Sequence, residues 1–300
     1  ANLIETDTFG ASPLRLKEFN FSKFDPSDLK AIPDQLDMKT CSLESLTLEL
    51  NIEGCRIAKR AIEKYRAQPD YDGRPLFVAG SIGPSNYVVS STEANLNKGT
   101  FGQIVENFYH QVLGLVEGGA DVLLIETQQD ILETKAIIAG ANKAFAEKKK
   151  KLPMIVQATV DVFSKMQIFN TDIHAAYTAV SKMGIDVFGI NCNVGPEEML
   201  ATVEKLSRFC KHPISVVPNA GQPISEDGQT CYKLSPEDMA NTMEPFVREY
   251  GVSIVGGCCG TTPAHIKALR EKLNGVVPAT RHPDEKVYVS GPQEAVPIDS

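Results

Sequence analysis

The stretch Ser253-Ile254-Val255-Gly256-Gly257-Cys258-Cys259-Gly260-Thr261-Thr262-Pro263 changes character twice along its length. It opens as a short apolar run typical of a β-strand, passes through a cluster of glycines and cysteines, and ends on a Thr-Pro pair typical of a helix start. A strand that leads through a loop into a helix is one βα unit. The stretch therefore predicts an α/β fold with its polar residues at the carboxyl end of a strand.

The same order repeats along the whole chain, because short apolar runs alternate with longer amphipathic stretches. The predicted strands are Leu3–Thr6, Leu76–Ala79, Val122–Glu126, Met154–Thr159, Val187–Asn191, Ile214–Val217 and Ser253–Val255. The predicted helices are 43–67, 101–118, 130–148, 173–183, 196–210, 236–250 and 263–273. The strand runs are almost continuously apolar, which indicates a parallel sheet buried on both faces.

The ends of the predicted strands favour a barrel over a doubly wound sheet. No Gly-x-Gly-x-x-Gly fingerprint follows an early strand, so a dinucleotide site is not indicated. Most strands instead end in a polar or glycine-rich cluster: Glu5-Thr6-Asp7-Thr8, Gly80-Ser81, Glu126-Thr127, Asn191-Cys192-Asn193, Pro218-Asn219-Ala220-Gly221 and Gly256-Gly257-Cys258-Cys259-Gly260. A site assembled from many strand ends is typical of a (β/α)₈ TIM barrel, whereas a doubly wound sheet concentrates such residues at one switch point.

The predicted strands number one fewer than a closed barrel needs. Because no room remains before Leu3, we expect the first βα unit to be absent from this chain. The alternative is an overlooked strand within 17–40. We expect an N-terminally incomplete barrel domain over 1–274 and an extended linker over 275–300. The β-rich run Lys286–Ser290 is the one unassigned segment that could pair into the gap.

Composition limits the class of protein. The 300 residues are 42% apolar and 23% charged, which indicates a folded chain with a sizeable core. A net charge of −8 without a basic stripe argues against nucleic acid or an anionic membrane as partner. The sequence has no apolar run of membrane-spanning length and no signal pattern. The seven cysteines, an odd number, indicate free thiols, so we expect a cytoplasmic protein.

Three cysteines form the most unusual pattern. Neighbouring side chains on a regular strand point to opposite faces, but the glycines around Cys258 and Cys259 permit a turn that brings both sulfurs together. Cys192 follows another predicted strand at the equivalent place. Three thiolates with one exchangeable position are typical of a catalytic zinc site. The alternatives are a buried packing pair or a vicinal disulfide.

The chain also resembles a known family, the zinc-dependent homocysteine S-methyltransferases, over about 1–274. The blocks that carry the resemblance are Ile254-Val255-Gly256-Gly257-Cys258-Cys259-Gly260-Thr261-Thr262-Pro263-x-His265-Ile266, Gly189-Ile190-Asn191-Cys192, Ile125-Glu126-Thr127, Pro218-Asn219-Ala220-Gly221 and Glu5-Thr6-x-Thr8-Phe9-Gly10. Within the family, Asn191-Cys192-x-x-Gly195-Pro196-Glu197 and Pro218-Asn219-Ala220-Gly221-x-Pro223 look most like the homocysteine-binding module of cobalamin-dependent methionine synthases. The tail Val289-Ser290-Gly291-Pro292 is similar to the linker towards their folate-binding module.

The resemblance implies a (β/α)₈ barrel that methylates homocysteine to methionine, with Zn²⁺ in the site and methylcobalamin on another domain as donor. It implies that Cys192, Cys258 and Cys259 hold the zinc and thereby activate the substrate thiol. Asn219 is a candidate fourth ligand through its side-chain oxygen, and a turn-forming role is the equal alternative. The implied partners are homocysteine and the folate- and cobalamin-binding domains of a larger methionine synthase.

Three further residues are candidates for binding the amino-acid end of homocysteine. The resemblance makes Glu126 the expected anion for the ammonium group, against the alternative of a solvated rim residue. Thr6 and Ser81 offer donors for the carboxylate, although both could be turn residues. His265, in the first turn of the last predicted helix, is expected only to cap or pack.

Two departures from the family pattern keep alternatives open. The Asp-Gly-Gly motif of the family's first strand has no match here, and Asp161–Gln167 lacks the glycine of the corresponding family loop. The alternatives are a stand-alone enzyme that uses S-methylmethionine or betaine as donor, and a non-catalytic zinc- or thiol-binding barrel.

Overall fold

The computed structural model describes residues 1–19, 42–91, 98–226 and 228–298. The alternative of an overlooked strand within 17–40 falls mostly on residues 20–40, which lie outside the described residues. Among the described residues, no helix is long and apolar enough to cross a membrane.

The described elements follow the predicted βα alternation. The strands are β1 Leu3–Glu5, β2 Phe77–Ile82, β3 Val122–Gln128, β4 Met154–Ala158, β5 Lys165–Met166, β6 Thr171–Asp172, β7 Val187–Asn191, β8 Ile214–Val217, β9 Ile224–Glu226, β10 Gln229–Cys231, β11 Ile254–Val255, β12 Tyr288–Ser290 and β13 Ala295–Pro297. The helices are α1 Pro13–Leu16, α2 Leu43–Arg66, α3 Phe101–Gly118, α4 Ile131–Lys148, α5 Ile173–Val180, α6 Pro196–Phe209, α7 Pro236–Arg248 and α8 Pro263–Lys272.

In the part of the chain that the structure describes, seven strands form the main sheet, in the order β1-β2-β3-β4-β7-β8-β11. This is the order of the chain, and the pairs β1–β2, β4–β7, β7–β8 and β8–β11 are parallel. All seven predicted strands and all seven predicted helices are confirmed, and α1, which is the next element after β1, lies outside the predicted elements. A parallel sheet in chain order with intervening helices is the topology of a (β/α)₈ barrel, of which the described residues provide seven units.

Residue contacts divide the chain into two compact units, and the division falls within β3. The N-terminal unit comprises Asn2–Leu124 and Leu132–Pro153, and the C-terminal unit comprises chiefly Ile125–Ile131 and Met154–Ser300. In the N-terminal unit α2 packs closely on α3, because a Cβ on Gly114 would lie only 2.7 Å from the Leu48 carbonyl oxygen.

Helix starts follow the predicted signals. α6, α7 and α8 each begin on the predicted proline, at the first helical position where a missing N–H is tolerated. The Ser235 hydroxyl caps α7 by accepting a hydrogen bond from the Asp238 N–H. The loops that lead from the sheet into these three helices therefore end at the residues predicted from the sequence.

Three short antiparallel hairpins lie outside the predicted elements: β5–β6, β9–β10 and β12–β13. The last of them occupies the predicted linker. Tyr288–Ser290 therefore pairs with Ala295–Pro297 and not with an edge of the main sheet. Each strand of these hairpins has two or three residues, which is too short for a sequence periodicity to stand out.

The tail (276–298) is bound to the C-terminal unit. The Arg281 guanidinium donates to the carbonyl oxygens of Cys210 and His212, and the Ala279 N–H donates to the Val247 carbonyl oxygen. Near the hairpin, the Thr171 hydroxyl donates to the Pro292 carbonyl oxygen at 2.8 Å. Before its hairpin the tail forms neither helix nor strand, and it lies against the C-terminal unit.

Candidate metal and substrate site

The three cysteines singled out in the sequence come together in the C-terminal unit. Cys192 directly follows β7, and Cys258 and Cys259 follow β11 after two glycines. The Cys192 sulfur lies 3.7 Å from that of Cys259, which lies 3.9 Å from that of Cys258. All three sulfurs lie within 4.8 Å of one another. We call these residues the cysteine trio.

The local backbone explains this convergence. Cys192 has a φ of 61°, in the left-handed region, so its side chain departs from the alternation of β7. After β11 the chain turns, and the Thr261 N–H donates to the Cys258 carbonyl oxygen at 3.1 Å. Gly260, with a φ of 75°, lies in this turn, and a Cβ there would lie 2.3 Å from the Tyr232 ring. The turn therefore requires a glycine at this position.

The spacing of the sulfurs fits a metal ion. A tetrahedral ion with metal–sulfur bonds of about 2.3 Å places its sulfur ligands about 3.8 Å apart. The two short sulfur–sulfur distances in the trio, 3.7 and 3.9 Å, match that value. Thiolates are soft ligands that favour zinc and similar metals over magnesium or calcium. The cysteine trio could therefore bind a metal ion.

The trio also stabilises a thiolate by itself. The pKa of Cys192 is lowered to about 6, chiefly because the Cys258 thiol donates a hydrogen bond to its sulfur. The pKa of Cys258 is raised, first by that hydrogen bond and then by burial. Burial raises the pKa of Cys259 as well. We therefore expect the trio as a group to lose its first proton at a lower pH than an ordinary thiol does.

Asn219 lies beside the trio. Its Oδ1 accepts a hydrogen bond from the Cys259 N–H at 3.2 Å, and its side chain also hydrogen-bonds to the Cys192 sulfur, which favours the thiolate. The side chain is buried. Its oxygen accepts one hydrogen bond from the backbone and has a second lone pair for a metal ion, so the predicted role as fourth ligand stays a prediction.

Glu126 lies in β3 and is connected to the trio through a residue that sequence reasoning did not single out. The Asn191 Nδ2 donates to Glu126 Oε2 at 3.3 Å, and Asn191 immediately precedes Cys192. Both side chains are buried. Asn191 appeared in the sequence only as part of a motif next to a cysteine, and its contact with Glu126 depends on the strand order.

Thr6 and Ser81 lie together in the N-terminal unit, joined by Thr8. The Thr6 oxygen accepts from the Ser81 N–H at 3.0 Å, and the Thr8 hydroxyl donates to the Ser81 carbonyl oxygen at 2.8 Å. The Thr6 and Thr8 hydroxyl oxygens lie 2.6 Å apart, so the Thr6 hydroxyl must be the donor in that bond. Thr6 therefore has no hydroxyl proton to spare for a carboxylate unless this network rearranges, and its predicted role stays a prediction.

Two residues complete the surroundings of the trio. The Tyr232 hydroxyl donates a hydrogen bond to the Cys259 sulfur and thereby favours the thiolate. His265 has the structural role expected from the sequence: its Nδ1 accepts from the Thr262 N–H at 3.1 Å, and its Nε2 bonds the Leu234 carbonyl oxygen at 2.9 Å. Through Leu234, His265 anchors the segment that carries Tyr232.

Comparisons with known proteins agree with this geometry. A family model described as homocysteine S-methyltransferase matches residues 1–273. The methionine synthase of Mycobacterium tuberculosis is 32% identical over 298 residues, and that of Mycobacterium leprae is 32% identical over 303 residues. Each alignment covers 99% of this chain and 22% of the relative, so this chain spans about a fifth of those proteins.

Solved structures give the same fold. The metallated form of the homocysteine methyltransferase MmuM from Escherichia coli matches with a TM-score of 0.63 at 22% identity, over 91% of this chain and 80% of that one. Its apo form matches with a TM-score of 0.58, over 90% of this chain and 94% of that one. At this identity the likeness concerns the fold, and it agrees with the strand order described above.

Proposed function

Since the chain belongs to the homocysteine S-methyltransferase family, which it matches over residues 1–273, we propose that it binds homocysteine and methylates its sulfur to give methionine. The observation that carries the proposal is the spacing of the cysteine trio, whose sulfurs lie 3.7 and 3.9 Å apart. A buried carboxylate, Glu126, is connected to the same turn through Asn191. Sulfur ligands and a carboxylate suit the thiol and the ammonium group of one small substrate.

The homocysteine thiol must be deprotonated before its sulfur can be methylated efficiently, and the cysteine trio is the proposed place for this activation. A free alkyl thiol has a pKa near 8.5, so only a few per cent is thiolate at neutral pH. Zinc bound by Cys192, Cys258 and Cys259 would deprotonate the thiol of homocysteine and orient its sulfur. Two of the three sulfur–sulfur distances match the spacing that this ion requires, and the Tyr232 hydroxyl and the Asn219 amide hydrogen-bond to the sulfurs of Cys259 and Cys192. Asn219 is proposed to provide the fourth, exchangeable ligand.

The remaining residues orient the amino-acid end of the substrate. The Glu126 carboxylate is proposed to accept a charge-assisted hydrogen bond from the ammonium group. The roles of Thr6 and Ser81 in binding the carboxylate are proposed from the family resemblance alone, and for Thr6 the role requires its hydroxyl to leave Thr8. These contacts would leave the sulfur as the group presented to the methyl donor.

The donor and the partners are proposed from the relatives. The curated relatives are named methionine synthases, and this chain aligns with 22% of their length. We therefore propose that 1–274 act as the homocysteine module of such an enzyme and that 275–300 lead towards a folate-binding module. The donor would be methylcobalamin on another domain, charged from methyltetrahydrofolate.

A donor comparison tests the proposal. The protein supplied with zinc is incubated with homocysteine and either free methylcobalamin or S-methylmethionine, and methionine is quantified by mass spectrometry. We expect methionine from methylcobalamin, and none from the Cys192→Ser variant. If methionine forms only with S-methylmethionine, then S-methylmethionine and not methylcobalamin is the donor. The absence of both methionine formation and homocysteine binding would contradict the proposed function.

A further inference from the structure

Both polar groups of the Asn191 side chain form hydrogen bonds, and Asn191 lies between two candidate site residues, Glu126 and Cys192. It is the last residue of β7 and is 0% exposed. Its Oδ1 accepts from the Thr127 N–H at 2.8 Å, and its Nδ2 donates to Glu126 Oε2 at 3.3 Å and to Thr127 Oγ1 at 2.9 Å. Both protons of the amide are thus used, and both go to consecutive residues of β3.

These hydrogen bonds join two strands, β3 and β7, that are not neighbours in the sheet. In the sheet β4 lies between β3 and β7, so the Asn191 side chain reaches past its immediate neighbour. The end of β4 is joined as well, because Thr159 directly follows β4 and its hydroxyl donates to the Asn191 carbonyl oxygen at 2.9 Å. One residue therefore ties together the carboxyl ends of three strands.

The residues on either side of this connection have unusual backbones. Thr127 has a φ of 59° and Cys192 has a φ of 61°, and both are non-glycine residues in the left-handed region. A β-branched residue adopts that region only where its surroundings hold it. The Asn191 Oδ1 bonds the N–H of Thr127, and the Asn191 backbone leads directly into Cys192. Asn191 thus links the turn that carries Glu126 to the turn that carries the first cysteine of the trio.

We propose that Asn191 is a positioning residue that fixes the Glu126 carboxylate relative to Cys192, and so matches the site to the length of homocysteine. This inference rests on the proposed function. In homocysteine the ammonium group and the sulfur are carried by carbons two bonds apart, whereas cysteine is shorter by one methylene. A site that holds both ends rigidly discriminates between the two lengths, and loosening the connection reduces that discrimination.

The test compares two buried asparagines. Asn191→Ser removes the bonds to β3, and Asn51→Ser is the matched control. Asn51 is also 0% exposed, but it lies in the N-terminal unit and donates to the carbonyl oxygens of Ala11 and Thr47. Zinc content is measured by elemental analysis, and dissociation constants for homocysteine and cysteine are measured by calorimetry on the zinc-supplied proteins.

We expect Asn191→Ser to raise the dissociation constant for homocysteine about 10- to 100-fold, the fold-change that corresponds to the loss of a hydrogen bond to a charged group. Its zinc content should stay at the wild-type level, because Cys192 is also held by its own N–H bond to the Val217 carbonyl oxygen. The preference for homocysteine over cysteine should fall. Asn51→Ser should lower thermal stability without changing either dissociation constant.

A second variant and a double-mutant cycle keep the test decisive. Asn191→Asp preserves the acceptor for the Thr127 N–H but loses both donors, so it should weaken homocysteine binding even if Asn191→Ser folds poorly. If Asn191 acts through Glu126, Asn191→Ser should weaken binding less in a Glu126→Gln background than in the wild type. Wild-type affinity in both Asn191 variants, or equal fold-losses in both backgrounds, would overturn the inference. If the wild-type protein binds zinc but no homocysteine, the proposed function fails, and this inference fails with it.

Discussion

Cys258 and Cys259 are neighbours in the chain, yet their sulfurs lie 3.9 Å apart and both lie within 4.8 Å of the Cys192 sulfur. Neighbouring residues on a regular strand point to opposite faces. The convergence is possible because β11 ends at Val255, before the cysteines, and the chain then turns through Gly260. A pair of adjacent cysteines thereby brings two sulfurs to one point, and Cys192 brings a third.

The first prediction concerns zinc retention. Cys258→Ser should reduce bound zinc from one equivalent to a small fraction, because an alcohol is a much weaker zinc ligand than a thiolate. The control is Cys231→Ser, which changes a half-buried thiol outside the trio and should leave the zinc content unchanged. Elemental analysis of the purified proteins measures both. Full zinc in Cys258→Ser would show that the trio is not the metal site.

The second prediction concerns the ionisation of the trio without metal. The pKa of Cys192 is lowered to about 6, so its thiol is protonated well below that pH and ionised above it. Cys258 and Cys259 have raised pKa values and should remain protonated at neutral pH. Thiolate absorbance near 240 nm in the metal-free protein should therefore rise by about one thiolate between about pH 5 and 7.

The matched variant for this titration is Cys192→Ser, which should remove the step near pH 6. Cys231→Ser should keep it. A wild-type titration that begins only above about pH 8 would contradict the assignment of a stabilised thiolate.

Most of the fold could be predicted from the sequence, because it depends on long apolar runs and on strong helix-start signals. β7 and β8 have the predicted bounds, since continuous apolar segments in a parallel sheet leave little choice. The hairpins β5–β6 and β9–β10 were missed because each of their strands has two or three residues.

The site was predictable only in part. The cysteine trio could be recognised because glycines flank the cysteine pair and because Cys192 follows another strand. The link between Asn191 and Glu126 could not, because it crosses β4 and depends on strand order and on the left-handed backbone of Thr127. The engagement of the Thr6 hydroxyl by Thr8 likewise depends on side-chain rotamers.

The third prediction concerns the substrate ammonium group. Glu126→Gln keeps the size of the side chain and an acceptor for Asn191 but removes the charge. Homocysteine binding should weaken by about 1.5–3 kcal/mol, the usual loss for a hydrogen bond to a charged group. Zinc content should be unchanged. Calorimetric titration of the zinc-supplied protein measures the change.

The control for this variant is Glu106→Gln, which neutralises an exposed carboxylate that pairs with Lys143 at 2.6 Å. Its homocysteine affinity should equal that of the wild type. Equal homocysteine affinities in Glu126→Gln and Glu106→Gln would show that Glu126 has only a structural role.

The fourth prediction concerns the tail. Arg281→Ala removes two charge-assisted hydrogen bonds, to the carbonyl oxygens of Cys210 and His212. The free energy of unfolding should fall by about 1–3 kcal/mol, and the tail should become sensitive to proteases. Lys286→Ala, which removes an exposed charge from the same segment, should change neither property. Chemical denaturation and limited proteolysis measure both, and an unchanged Arg281→Ala variant would show that the tail is not held by these bonds.

The central claim is that the cysteine trio holds a zinc ion that takes the homocysteine sulfur as its fourth ligand. Zinc-edge X-ray absorption of the zinc-supplied protein tests it directly, with and without homocysteine. We expect three sulfurs and one lighter atom around zinc in the free protein, and four sulfurs at about 2.3 Å after homocysteine is added. A ligand set that homocysteine leaves unchanged, or one with fewer than three sulfurs in the free protein, would contradict the claim.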